Sequence, residues 1–253
     1  MIDLHCHLLP GIDDGPPDMT ATLELGRAAH AAGTHTIVAT PHVSWDYPNT
    51  AEVIARGVEE VRAAFAAEHV PIEVLTGAEV AVTRVGEMDG EELAALRLGR
   101  GPYLLVECPL GPSSTDAVWG LLESLLARDQ RILLAHPERC PVFQRDLEFL
   151  GRCVDHGMLT SLTAGSFAGR FGGTVRRIAE QMWRAQLVYN VSSDAHDTVR
   201  RPPAIAGGLR DHGRHAAARW LTEEVPRALI DGTALPYLAR EPPRTGLLRR
   251  WRS

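Results

Sequence analysis

The sequence predicts an α/β fold of parallel strands, either a βα barrel or a doubly wound sheet, and three observations carry that expectation. Short apolar runs rich in β residues alternate with longer helical stretches along the 253 residues. Seven strand-and-helix units follow one another, which is the order that parallel βαβ crossovers require. No Ser/Gly linker or shift of composition divides the chain, so a single domain is expected over 1–235, followed by a Pro/Arg-rich tail at 236–253.

The elements follow in order. The strands are expected at 2–7, 36–41, 72–79, 103–107, 131–136, 159–163 and 187–192. In the first, alternate side chains share a face, so Asp3, His5 and His7 point one way and Ile2, Leu4 and Cys6 the other. The loop GIDDGP then brings Asp13 and Asp14, where a turn role for Asp13 stands beside a functional one. Helical patterns such as TATLELGRAAHAAG, AEVIARGVEEVRAAFAAEH, TDAVWGLLESLLARD, DLEFLGRCVDHG and TVRRIAEQMWRAQ separate the strands, and DGEELAALRLGRG reads as a short helix and loop. Helices around 203–229 close the fold.

Composition narrows the function. The formal charge of −6 and the absence of any basic stripe argue against a general nucleic-acid partner. Every basic residue is arginine. The four cysteines, Cys6, Cys108, Cys140 and Cys153, are scattered without a C-x-x-C pair, which fits a reducing cytoplasm. No secretory n- and h-region and no long apolar run is present, so neither export nor membrane insertion is expected.

The strand ends carry the chemistry. A lone histidine on a strand is ordinarily a hydrogen-bonded structural residue. Here six of seven apolar strands terminate in metal-compatible side chains: His5 and His7, His42, Glu79, Glu107, His136, and Asp194 with His196. In parallel barrels the C-terminal strand ends converge on one mouth, where catalytic groups collect. With Asp14 these nitrogen and carboxylate donors exceed what one four-coordinate ion can use, so a multinuclear centre of Zn²⁺, Mn²⁺ or Fe with bridging carboxylates is expected.

The motifs DLHCHLLPGIDDGP, ATPH, TGAEV, LLAHPER, TAGSFAGRFG and SSDAH, with RRPP behind the last, resemble the bacterial PHP-type (polymerase and histidinol phosphatase) protein-tyrosine phosphatases of capsule and exopolysaccharide operons. The likeness runs from Ile2 to about Pro203, with the motifs in the same order. It implies the PHP fold, a distorted (βα)7 TIM-like barrel, and three divalent metal ions (Mn, Fe or Zn). It places one ion on His5, His7, Glu79 and Asp194, a second on Glu79, Glu107 and His136, and a third on Asp14, His42 and His196. Arg139 in HPER and Arg201 in RRPP match phosphate-binding arginines, although Arg200 leaves the choice within the doublet open. Ser161 departs from the glutamine of many relatives.

The resemblance implies a phosphomonoester hydrolase, a protein-tyrosine phosphatase that attacks with a metal-bridged hydroxide, and a phosphotyrosine protein as partner, namely a bacterial tyrosine kinase of polysaccharide biosynthesis. Three divalent ions against four carboxylates leave a net positive cavity that suits a phosphate dianion. Arg139 and Arg201 would grip its oxygens, and His42 or His196 could assist proton transfer. A cysteine mechanism needs Arg six positions after the nucleophile, but Ile12, Ser114, Asp146 and Leu159 occupy those places. The alternatives are a histidinol-phosphate phosphatase or other small-molecule phosphoesterase, a nuclease, and a metal-binding regulatory domain without catalysis. The loop VSWDYPNT after His42 is where specificity is expected to reside.

Overall fold

Strand β1 (Ile2–Cys6) is buried along its whole length, as a parallel strand must be when both of its faces are covered. A computed structural model describes residues 1–209 and 214–237; most of the expected tail, 238–253, lies outside the described residues. The second expected strand ends early as β2 (Thr36–Ala39), and a further short strand, β3 (His42–Val43), follows just past its expected end; the third breaks into β4 (Glu73–Thr76) and β5 (Glu79–Ala81). Pro41 at the first break has no N–H to give a ladder. The Thr40 side chain fills in there, its Oγ1 accepting from the Cys6 N–H at 3.0 Å. At the second break a Cβ on Gly77 would stand 2.7 Å from Val38 Cγ1, so only glycine allows that close approach.

The remaining strands are β6 (Tyr103–Glu107), β7 (Arg131–Ala135), β8 (Leu159–Thr163) and β9 (Asn190–Ser192), the last starting three residues later than its sequence pattern predicts. All named pairings are parallel, in sheets ordered β1-β2-β4 and β3-β5-β6-β7-β8-β9. Beyond β9 the chain returns to β1 through a Cys6–Ala195 bridge, with the Asp194 N–H on the His5 carbonyl at 2.8 Å and the His7 N–H on the Ala195 carbonyl at 2.9 Å. The result is a distorted (βα)7 barrel whose last seam is a bridge rather than a ladder.

Helices cover its outside. Ala51–Ala67 buries Ile54, Val58, Val61 and Phe65, an i, i+4, i+7, i+11 stripe. Each large aliphatic or aromatic side chain so buried contributes roughly 1.5–3 kcal/mol. Side-chain caps at Asp18, Thr50, Ser114 and Asp146 satisfy the first turns of four of these helices. The closing helix Val225–Asp231 lies against Gly101, where a Cβ would collide with the Leu229 carbonyl at 1.7 Å. Register then aligns the mouth: His42 pairs with Glu79, Glu79 with Leu105, and Glu107 with Ala135, one residue before His136.

Candidate metal centre

All nine expected donors meet at the C-terminal rim of the barrel. His5 and His7 come from the end of β1, and His5 Nε2 lies 3.3 Å from His7 Nε2. His5 Nε2 is also 3.2 Å from Glu79 Oε2 and 3.3 Å from Asp194 Oδ1. His7 Nε2 stands 3.3 Å and 3.6 Å from those same two oxygens. Four ligands about 2.1 Å from an ion in a tetrahedron are separated by roughly 3.4 Å. The five separations therefore match a tetrahedral donor set, and the side chains fit a cation.

Hydrogen bonding supports the fit. Glu79 Oε2, Asp194 Oδ1 and His136 Nδ1 are buried without a hydrogen-bond partner. An unsatisfied buried carboxylate oxygen is costly unless a cation faces it. Around the same centre, His136 Nε2 reaches Glu79 Oε1 at 2.7 Å and Glu107 Oε1 at 3.7 Å. Asp14 Oδ1 lies 3.1 Å from His196 Nε2 and 3.4 Å from His42 Nε2, while His42 Nδ1 is 3.0 Å from Glu79 Oε2. The donors group as His7, Asp14, His42 and His196; His5, Glu79 and His136; His5, His7 and Asp194; and His42, Glu79 and Glu107. Glu79 belongs to two of these groups and bridges the cluster.

Two of the five described non-glycine residues with left-handed φ lie at this rim, His136 at +30° and Asp194 at +53°. Such a conformation costs a non-glycine residue on the order of 1–2 kcal/mol and persists where packing or function imposes it.

The electrostatics separate the groups. Burial opposes ionisation of Glu79, yet His5 and His136 outweigh it and hold the carboxyl well below its usual range. Burial, joined by the charge of Glu79, pushes Glu107 up to about 8. Burial also disfavours a charged His7, but Asp13 on its Nδ1 and the adjacent Glu79 carboxylate prevail and raise it to about 9. His42, likewise buried yet beside the Asp14 and Glu79 carboxylates, rises to about 11. Burial and the neighbouring Arg139 lower His136 to about 4.

A family model described as "Capsular polysaccharide synthesis, CpsB/CapC" matches residues 1–224. The chain belongs to the CpsB/CapC family. The tyrosine-protein phosphatase YwqE of Bacillus subtilis (strain 168) is 32% identical over 202 residues, 79% of each chain. The tyrosine-protein phosphatase CpsB of Streptococcus pneumoniae is 26% identical over 211 residues, 80% of this chain and 86% of the relative. A solved chain from work on Bacillus subtilis YwqE and Streptococcus pneumoniae CpsB, described as metal-dependent tyrosine phosphatases, superposes with a TM-score of 0.82 at 27% identity. It covers 96% of this chain and 99% of its own.

In this CpsB/CapC chain the two arginines of the motif reading converge on one carboxylate. Arg139 Nη1 and Arg201 Nη2 both donate to Asp194 Oδ2, leaving Oδ1 toward His5 and His7. Arg201 Nη1 also lies 2.8 Å from His196 Nε2. Arg200 is exposed, and its backbone N–H donates to Asp197. Of the doublet, it is Arg201 whose side chain bonds to Asp194 and His196. Ser161 is buried, its carbonyl accepts the His136 N–H at 2.8 Å, and its hydroxyl donates to Asn190 Oδ1 at 2.5 Å, tying β8 to β9.

Three further acidic residues frame the CpsB/CapC site. Asp13 Oδ2 lies 2.7 Å from His7 Nδ1 and accepts the His42 N–H at 3.1 Å, so it orients two donors. Asp3 is fully buried and accepts the Ser193 N–H at 3.0 Å and the His5 N–H at 3.3 Å, fixing the turn that presents Asp194. Glu138 accepts the Thr163 N–H at 2.9 Å and the Ser166 hydroxyl at 2.7 Å, and burial pushes it up to about 7. The shared face of β1 marked Asp3, but its partner lies 190 positions away and carried no signal.

Proposed function

We propose that this chain is a metal-dependent protein-tyrosine phosphatase of polysaccharide biosynthesis, acting on a phosphotyrosine protein, in particular a tyrosine kinase of that pathway. The observation that carries the reading is Asp194, whose one oxygen faces the His5 and His7 donors while the other anchors Arg139 and Arg201. The family and its phosphatase relatives support it.

On the assignment that the resemblance implies, His5, His7, Glu79 and Asp194 would hold one ion, Glu79, Glu107 and His136 a second, and Asp14, His42 and His196 a third; the donor groups formed here place His136 with His5 and Glu79, and Glu107 with His42 and Glu79. When bound, divalent Mn, Fe or Zn ions supply charge neutralisation of the phosphate and a nucleophilic water at neutral pH. Arg139 and Arg201 orient the non-bridging oxygens with their forked donors. Phe171 supports Arg139, whose guanidinium carbon lies 4.6 Å from the ring centroid. Hydrolysis breaks the phosphorus–oxygen bond to the phenol as the oxygen of water joins phosphorus, and the proton lost by water passes to the phenolate. With a leaving-group pKa of about 10, that phenolate departs more readily than an alkoxide, which reduces the demand on a protein acid.

Among the described residues no helix is long and apolar enough to cross a membrane. All four cysteines are unpaired and buried, which supports a reducing compartment such as the cytoplasm. The deciding experiment is hydrolysis of a phosphotyrosine peptide beside histidinol phosphate by the Mn²⁺-loaded chain, with and without chelator. Chelator-sensitive turnover of the peptide with little on histidinol phosphate is expected; the reverse preference would transfer the chain to small-molecule phosphoester hydrolysis.

A further inference from the structure

One cavity opens directly on the candidate metal centre. It has a volume of about 360 Å³, and among its lining residues His42 and Glu107 form the floor shared with the donor cluster, while Trp45, Tyr47, Thr83 and Pro109 lie around it. The Trp45 and Tyr47 side comes from the loop after β3, and the Pro109 side from the segment after β6.

Trp45 is 58% exposed, although a side chain of this size ordinarily gains most from burial. A cation covers one of its faces. The Arg84 guanidinium carbon sits 4.5 Å from the centre of the indole, and Arg84 is itself held by Glu87 at 3.0 Å. Tyr47 stacks on His42 with ring centroids 5.6 Å apart and planes 9° apart. An exposed aromatic wall beside the reaction centre contributes little to folding.

Arg139 and Arg201 grip the centre from the Asp194 side, whereas the cavity leaves it past His42 and Glu107. The cavity is lined by His42 and Glu107 but by neither arginine, so a phosphate held by Arg139 and Arg201 can direct its leaving group into it.

Resting on the phosphatase reading above, we propose that this cleft receives the aromatic ring of the substrate and that Trp45, positioned by Arg84, selects aryl over alkyl phosphomonoesters. An aromatic pair contributes enough for a selectivity of several-fold, and a flat ring gains more from an indole wall than an alkyl chain does.

The test uses the Mn²⁺-loaded full chain and its W45A, W45F and R84A variants, with phenyl phosphate and a phosphotyrosine peptide as aryl substrates and glycerol phosphate as the alkyl one. In W45A the ratio of aryl to alkyl kcat/KM is expected to fall about fivefold. W45F should restore most of it, and R84A should fall between. Inhibition by phenylphosphonate should weaken relative to inhibition by methylphosphonate in the same order. An unchanged ratio in W45A, or equal losses on both substrate classes, overturns the assignment of Trp45. A wild-type chain that turns over glycerol phosphate but neither aryl ester would instead overturn the underlying phosphatase reading.

Discussion

Asp13 and His7 are joined side chain to side chain, Oδ2 to Nδ1 at 2.7 Å, and the same Oδ2 accepts the backbone N–H of His42 at 3.1 Å. One buried carboxylate from a surface loop thereby orients donors from two different strands. Partners of this kind set ring orientation and basicity, and losing one ordinarily costs 10–100-fold in metal affinity. Asp13→Ala is expected to weaken Mn²⁺ binding by about that factor, with turnover recovering at high Mn²⁺. Titration of activity against metal concentration checks it; an unchanged midpoint would reduce Asp13 to a turn residue.

Glu79 lies between two donor groups, so its loss should remove more than one ion. Glu79→Gln and His136→Ala are each expected to lower kcat by more than about 10³-fold, because the amide or methyl cannot replace an anionic or imidazole ligand. Metal content by mass spectrometry should fall in parallel, while circular dichroism reports whether the barrel persists.

Metal uptake should depend steeply on pH. With no ion bound, His7 titrates at about 9, His42 at about 11 and Glu107 at about 8, so at pH 7 all three carry a proton. Ligation needs the deprotonated forms, and binding must therefore release protons. As the pH falls from 8 to 6 the apparent affinity should drop about tenfold per unit for each proton displaced. Calorimetry in buffers of different ionisation enthalpy measures the proton count, and a pH-independent affinity would contradict it.

Thiol chemistry should be silent. Burial drives the Cys6, Cys108 and Cys140 thiols well above their ordinary range and raises Cys153 to about 12, so none of the four is a thiolate at neutral pH. Iodoacetamide should leave the native phosphatase activity intact, whereas chelation should abolish it. Inactivation at a rate matching alkylation of one cysteine would point to a thiolate nucleophile.

Arg201 and Arg200 should differ sharply despite their adjacency. Arg201 reaches Asp194 and His196, whereas Arg200 is exposed. Arg201→Ala is expected to cost about 10²-fold in kcat/KM, the scale of a lost transition-state donor, and Arg200→Ala only a few-fold. Steady-state kinetics on p-nitrophenyl phosphate separates them.

What the sequence determined by itself was the periodicity and the chemistry at its breaks. Period-two alternation in IDLHCH put His5 and His7 on one face, and apolar runs ending in Glu79, Glu107, His136 and Asp194 announced a rim of donors, because strand geometry is local and a parallel barrel gathers strand ends. The motif order carried the family, which the match over 1–224 bears out.

Only the tertiary structure decided what depends on distant packing. The breaks at Pro41 and Gly77 follow from the contact of Gly77 with Val38, and from the Thr40 hydroxyl entering the ladder beside Cys6. That Arg201 rather than Arg200 bonds to Asp194 was set by which side chain the turn after Asp194 aims inward, and the support from Asp3 joins residues 190 positions apart. Local preference fixes where a side chain may point, but hydrogen bonds between chain segments brought together by the core fix what it meets.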